Sequence, residues 1–277
     1  QCRERLSGSL CQNALFDPTE IDTVSVMAIP THGTPPPVLA LGADPVRWAL
    51  MRELSQSDRQ VDELVDALKK PQNLVSYHLG KLRAAQVISV RRSSHDARGL
   101  YYRLDLPRCQ ELLSGAVHAL HQSLEVTAMT SVREPGSAVR GTSVLFLCTA
   151  NSARSQMAEG LLRAAAADVS VASAGNKPSS VHPNAIRAMK KRGIDISGQT
   201  SKHLDGFRET AFDTVVTVCD HLKEECPDVP RAGHVVHWSI PDPVSEGENA
   251  GKLSAFERVA DELAVRVQYL IPVLRGA

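Results

Sequence analysis

The chain has 277 residues, 43% of them hydrophobic and 22% charged, with 31 basic and 31 acidic side chains and six cysteines. This is an ordinary globular composition with length for about two domains, and it excludes a disulfide-stapled scaffold. No run of about 18 apolar residues suits a membrane span, and no cationic segment leads into an apolar one at the N-terminus, so a cytoplasmic protein is expected.

Residues 1–37 include THGTPPPV and little periodicity, which predicts a disordered leader, with Met27 as the expected natural start. Residues 38–126 are mostly helical in pattern. DPVRWALMREL and QVDELVDALKK carry apolar residues at helical spacing. Pro71 breaks the second, and QNLVSYHLGKLRAA opens a third with Leu74, Leu79 and Leu82 on one side. VISVRR then alternates as a strand, SSHDARG is a polar turn, and LYYRLDL alternates back. Two helices around a tight break, followed by a basic hairpin, predict a winged helix-turn-helix, whose second helix lies in the major groove.

Charge supports that assignment. From Lys69 to Arg103 there are eight basic residues and one acid, while residues 142–277 are nearly neutral. A charge run alone is more readily a solvated helix face; its coincidence with the helix-break-helix-hairpin pattern is what points to DNA. Gln72, Asn73, Ser76, Tyr77 and His78 are expected to face bases, and Lys81, Arg83, Arg91 and Arg92 to meet phosphates. Residues 127–141, TAMTSVREPGSAVRG, read as a flexible linker. As a random coil it would span about 20 Å and leave the orientation of the two halves unfixed.

Residues 142–277 alternate strand and helix patterns. TSVLFLC is an apolar strand ending on Cys148, TANSA is a small polar loop, and SQMAEGLLRAAAA is a helix. Ligands of open α/β sheets bind at the carboxyl ends of strands. A loop feeding a helix N-terminus offers backbone N–H groups and the positive dipole end to an anion. Thr149, Ala150, Asn151, Ser152, Ala153 and Arg154 therefore read as an oxyanion-binding loop, with the Arg154 fork closing over it. The same field favours the thiolate of Cys148, and Ser155 can donate a hydrogen bond to it. The alternative is a buried structural cysteine. Asp242, between Pro241 and Pro243, is the candidate acid for a leaving oxygen, or else part of a plain Pro-Asp-Pro turn. Cys219 ends the run TVVTV, and Cys226 follows it by seven residues. Three cysteines, one of them in an oxyanion loop, allow a two-electron relay through a redox-active disulfide.

CTANSARS together with PDP resembles the low-molecular-weight tyrosine phosphatase fold. That resemblance implies an α/β domain with a four-stranded parallel sheet and helices on both faces. From Ser143 to about Val273, VLFLCTANSARSQMAEG, SAG, HPNAIRAMKKRGIDISGQTSK, VCDHLKEECP and HWSIPDP resemble the thioredoxin-coupled arsenate reductases. This implies arsenate as substrate, no bound cofactor and thioredoxin as external reductant. It also implies that Cys148 attacks arsenic, Asp242 protonates the departing oxygen, Cys219 attacks Cys148, and Cys226 moves the disulfide outward. Two other functions are open: a pure regulator whose second half senses oxyanion or redox state, and a low-molecular-weight tyrosine phosphatase joined to a DNA-binding domain. Cys219 and Cys226 would be idle in it, and aromatic residues, which would line a phosphotyrosine pocket, are only 4% of the chain.

Two further features come with resemblance. Residues 38–106, in DPVRWALMREL, VSYHLGKLRAAQVI and GLYYRL, resemble the ArsR/SmtB metalloid-responsive repressors. That implies a homodimer through the N-terminal domain, binding to double-stranded operator DNA, and release by arsenite. The Cys-x-Cys pair that many arsenite-sensing members carry is missing, which leaves Cys2, Cys11 and Cys109 as candidate thiols in this half. Some relatives of the second half hold potassium through the equivalents of Asn151, Glu159, Ser173 and an aspartate. Here Lys202 stands in that aspartate's place, so no metal is expected.

Overall fold

Caps organise the helical half. The computed structural model describes residues 35–96, 98–124, 141–225, 230–245 and 250–276. After a short α1 (Pro37–Gly42), Asp44 accepts hydrogen bonds from the amides of Val46 and Arg47 and starts α2 (Pro45–Gln56) with proline at its first position. A capping box of Gln60 and Glu63 opens α3 (Val61–Leu68), which ends on Lys69 in the left-handed region at φ 52°. Pro71 then caps α4 (Gln72–Ala84), so the tight break lies where the sequence predicts it. β1 (Ile88–Arg92) and β2 (Leu100–Leu104) form the antiparallel hairpin, and α5 (Leu106–Leu120) follows. The core holds Leu50, Leu54, Leu64, Val75, Leu79, Leu82 and Ile88. Val75, rather than the expected Leu74, completes the buried stripe of α4.

The second half is α/β: β3 (Ser143–Leu147), α6 (Arg154–Ala165), β4 (Ser170–Ala174), α7 (Pro183–Lys191), β5 (Phe212–Thr217), α8 (Asp220–Glu225), β6 (Ala232–His237) and α9 (Leu253–Gly276). The strands make one parallel sheet in the order β4-β3-β5-β6. Val144 to Leu147 are fully buried, as a central parallel strand requires. Among the described residues, no helix is long and apolar enough to cross a membrane.

The expectation of an unfixed orientation is corrected. The described residues from Pro36 onward pack as one unit, and polar groups are satisfied across the junction of the halves. Asp58, 3% exposed, accepts from both guanidinium nitrogens of Arg266 at 2.9 and 2.7 Å and from the Ser239 amide at 2.8 Å. Its own N–H donates to the His237 carbonyl at 2.8 Å. Lys223 reaches Glu63 at 2.6 Å, and Tyr269 donates to Gln110 at 2.7 Å. Buried polar groups need partners, and here those partners belong to the other half. Residues 125–140 of the linker, and the leader through residue 34 with Met27, Cys2 and Cys11, lie outside the described residues.

Candidate active site

Two neighbouring strands deliver two thiols. β3 and β5 pair with Leu147 opposite Thr217, and the Val218 amide donates to the Leu147 carbonyl at 2.8 Å. Cys148 and Cys219 therefore leave adjacent strand ends, at the point where strand order reverses. Both are free and buried. The Thr149 hydroxyl lies 3.1 Å from the Cys219 sulfur. A cavity of about 550 Å³ is lined by Cys148, Cys219, Arg154 and Asp242 among others.

The loop between Cys148 and Arg154 is turned by its carbonyls. Those of Thr149, Ala150 and Ser152 accept from the amides of Lys177, Ser179 and His182 at 2.8–2.9 Å. That of Asn151 accepts from the Ser201 hydroxyl at 2.7 Å. In a trans peptide the following N–H points the opposite way, so the amides of residues 150–153 point away from these partners and are available to an anion. α6 begins at Arg154 with no side-chain cap on its N-terminus, leaving its orphan N–H groups and positive dipole end at the loop.

Asn151 braces this arrangement. It is fully buried, with φ 44°, a conformation asparagine tolerates. Its amide nitrogen donates to Ser155 and Ser173 at 2.9 and 2.8 Å, and its oxygen accepts from the Lys202 amide at 2.8 Å. Ser155 accepts from Asn151, and its hydroxyl lies 2.9 Å from the Cys148 sulfur, to which it can donate when that sulfur is a thiolate. Ser173 in turn donates to Glu159 at 2.5 Å. Glu159 pairs with Arg163 and lies 3.6 Å from the Lys202 ammonium. Arg154, 7% exposed, donates to the Ile240 carbonyl and to Asp242, each at 3.1 Å. Each sequence-predicted site residue of this half except Cys226 is thus in one neighbourhood; Cys226 lies outside the described residues.

In the helical half, Gln72, Asn73, Ser76, Tyr77, Lys81 and Arg83 are exposed on α4, and Arg92 is exposed on the hairpin. The Lys81 ammonium stands 5.4 Å from the centre of the Tyr77 ring. Two expectations are corrected. His78 is 6% exposed and lies against Asp44, because 75, 78, 79 and 82 form one helical stripe facing the core. Arg91 is opposite Tyr101, hence on the same face of the hairpin. That face meets the α/β half, where Arg91 pairs with Asp220 and donates to Ser239 at 3.0 Å. Cys109 is a core residue whose thiol is pushed up to about 11 by burial, helped by Asp105.

Sequence reasoning missed Asp220, His237 and Ser94. Asp220 is fully buried directly after Cys219. Burial alone would raise its pKa. The hydrogen bond from His237, the charge of Arg91 and the Ser94 amide outweigh that and hold it well below the usual carboxylate range. Burial in turn lowers the pKa of His237, despite Asp220. Ser94, from the hairpin turn, lines the same cavity together with His221. The only signal for any of these was an acid next to a strand-end cysteine. Among the described residues, His95, His221 and Glu225 form the single group with metal-ligating atoms within 4.8 Å of one another.

Residues 143–276 match the family of low molecular weight phosphotyrosine protein phosphatases, and residues 44–90 match the bacterial regulatory proteins of the arsR family. The second half is similar to the arsenate reductase of Halalkalibacterium halodurans, 45% identical over 127 residues, covering 45% of this chain and 91% of that protein. It is also similar to the arsenate reductase of Bacillus subtilis, 42% identical over 127 residues, with 45% and 91% covered. Among solved structures, a thioredoxin-dependent arsenate reductase of Corynebacterium glutamicum is 31% identical, with 49% of this chain and 62% of that one covered and a TM-score of 0.39.

Proposed function

This chain belongs to the arsenate reductase family through its second half, and from that premise we propose that it reduces arsenate to arsenite by a three-cysteine relay and regulates transcription from operator DNA. The observation that carries the first part is the convergence of Cys148, Cys219, Arg154 and Asp242 on one cavity at adjacent strand ends.

Arsenate is a tetrahedral oxyanion, matched by the amides of residues 150–153 and by the Arg154 fork. Arg154 has donors enough to serve arsenate and Asp242 together. The Cys148 thiolate attacks arsenic, and one oxygen leaves as water with a proton from Asp242. The Cys219 thiolate then attacks the Cys148 sulfur. The As–S bond breaks, its electron pair stays on arsenic, and arsenite departs, leaving a Cys148–Cys219 disulfide. Cys226 attacks Cys219 and frees Cys148 as thiolate. The Cys219–Cys226 disulfide is returned to thiols by an external dithiol, thioredoxin, so no bound cofactor is needed. Lys202, beside Glu159, supplies the positive charge that potassium supplies in some relatives.

In the first half, Gln72, Asn73, Ser76 and Tyr77 read bases, while Lys81, Arg83 and Arg92 meet phosphates. Leu39 on α1 and Leu113 and Leu120 on α5 are exposed apolar residues, which suits pairing with a second copy. Such a protein acts in the cytoplasm, where operator DNA and thioredoxin are found.

The test compares arsenate reduction driven by thioredoxin and its reductase with hydrolysis of an aryl phosphate. Turnover of arsenate, with Cys148→Ser inactive, is expected. Cys226→Ser should release about one arsenite per enzyme and stop. Normal cycling of Cys226→Ser would overturn the relay. For DNA, a duplex taken from upstream of its own gene should bind with affinity falling steeply as salt rises. Arg92→Ala should weaken binding to all sequences, and Ser76→Ala should change which sequence is preferred.

A further inference from the structure

Residues 220–225, which separate the two resolving cysteines, also seat the wing of the DNA-binding half. α8 has six residues. Leu222 is in the core, and every other residue meets the helical half. Asp220 accepts from Arg91, and from the Ser94 amide and hydroxyl at 2.8 and 3.0 Å. His221 lies 2.9 Å from His95, nitrogen to nitrogen. Lys223 pairs with Glu63. Glu224 accepts from Ser93 and Tyr101, each at 2.9 Å, and from Gln60 at 3.2 Å. Glu225 lies 3.7 Å from His95. Ser94 and His221 are also part of the wall of the catalytic cavity.

The last step of the relay joins the two residues that flank this helix in the sequence. A helix of six residues is about 9 Å long, whereas a disulfide needs its Cα atoms roughly 4.4–6.8 Å apart. Joining Cys219 to Cys226 therefore pulls residues 220–225 out of the helical arrangement that presents Asp220 and Glu224 to the wing.

We propose that Arg91 is a positioning residue for the thiol relay, and that through its contact with Asp220 the wing follows the oxidation state of the cysteines. With reduced thiols, Arg91 neutralises the buried carboxylate next to Cys219, and the wing is held. When the Cys219–Cys226 disulfide forms, Asp220 and Glu224 withdraw, and the hairpin with Arg92 loses its fixed place. Arsenate turnover then weakens DNA binding without any arsenite site in the first half, where Cys109 is a core residue. The proposal rests on the relay proposed above. Its covalent step is the same one: two thiols become a disulfide, and their two electrons pass to arsenic.

The experiment uses the full chain, reduced, then given one equivalent of arsenate with no external thiol. Intact mass reads disulfide formation, and hydrogen exchange reads the hairpin, residues 88–104. On oxidation the Ser94 amide, which loses its acceptor on α8, should exchange about tenfold faster or more, and its hairpin neighbours should follow as the hydroxyls of Ser93 and Tyr101 lose Glu224. Thioredoxin should restore slow exchange. Affinity for the duplex from upstream of the gene should fall about tenfold with the loss of ordered phosphate contacts. In reduced protein, Arg91→Ala should already show the fast hairpin exchange, with kcat for arsenate lowered and KM little changed, and Arg91→Lys should recover part of both. If the disulfide forms while wild-type hairpin exchange and DNA affinity stay unchanged, the coupling is wrong and the relay stands. If arsenate yields no disulfide, both fall.

Discussion

Replacing Gly175 by alanine adds one methyl group at the point where β4 ends against the oxyanion loop. A Cβ there would lie 2.5 Å from the Thr149 carbonyl oxygen, 2.6 Å from that of Cys148 and 2.9 Å from the Asn151 amide nitrogen, where real Cβ atoms essentially never come within 3.0 Å. The loop must therefore retreat by about half an ångström or more. Gly175 cannot give way instead, because its N–H donates to Lys202 and its carbonyl accepts from Leu204. Its φ is not in the left-handed region, so close approach alone demands glycine. Such overpacking costs about 1–3 kcal/mol. Misplacement by an ångström costs on the order of 100-fold in rate, so half of that predicts roughly tenfold lower kcat/KM for arsenate. Urea denaturation and arsenite release in a single turnover measure the two effects. Gly193→Ala is the control. It has φ 77° and nothing within 4 Å of a Cβ, so it should cost about 1 kcal/mol through backbone strain and leave kcat/KM unchanged. A folded Gly175→Ala with wild-type stability and kcat/KM would refute the close-approach explanation.

Asp58→Ala should lower stability by about 2–4 kcal/mol in urea, because it leaves the mostly buried Arg266 with only its longer pairing to Glu262 at 3.4 Å. Asp58→Leu with Arg266→Met should lose much less, and a loss under about 1 kcal/mol for Asp58→Ala would show that the junction does not hold the pair buried. The folded-state pKa of His237 is depressed by burial, so the unfolded chain takes up the proton first. Its contribution to stability is full above about pH 6.5 and is lost as pH falls toward the folded value, at no more than about 1.4 kcal/mol per pH unit. Urea midpoints across that range should show a shallower slope in His237→Gln; an unaltered slope would mean that His237 is not held neutral. Lys202→Asp should make arsenate turnover depend on potassium, whereas the wild type should turn over equally in sodium and potassium at fixed ionic strength.

What the sequence determined on its own is local. The strand, loop and helix around Cys148 are contiguous, so spacing alone puts the cysteine, the amides and Arg154 around one point. Pro71 and the alternating hairpin are equally local, since backbone sterics and a period of two act over a few residues. His78 was also within reach of the sequence, because helical periodicity already puts it on the stripe of Val75, Leu79 and Leu82. The partners of buried charges were not within reach. Asp58 is 208 positions from Arg266, and Arg91 is 129 from Asp220. Alternation assigns Arg91 to a face of the hairpin but says nothing of what covers that face. A linker's composition likewise limits how far two halves can separate, not whether they dock. Docking is decided by whether the carboxylates at the junction find donors as they leave water, which depends on the shapes of both halves at once, and only the tertiary structure holds that information.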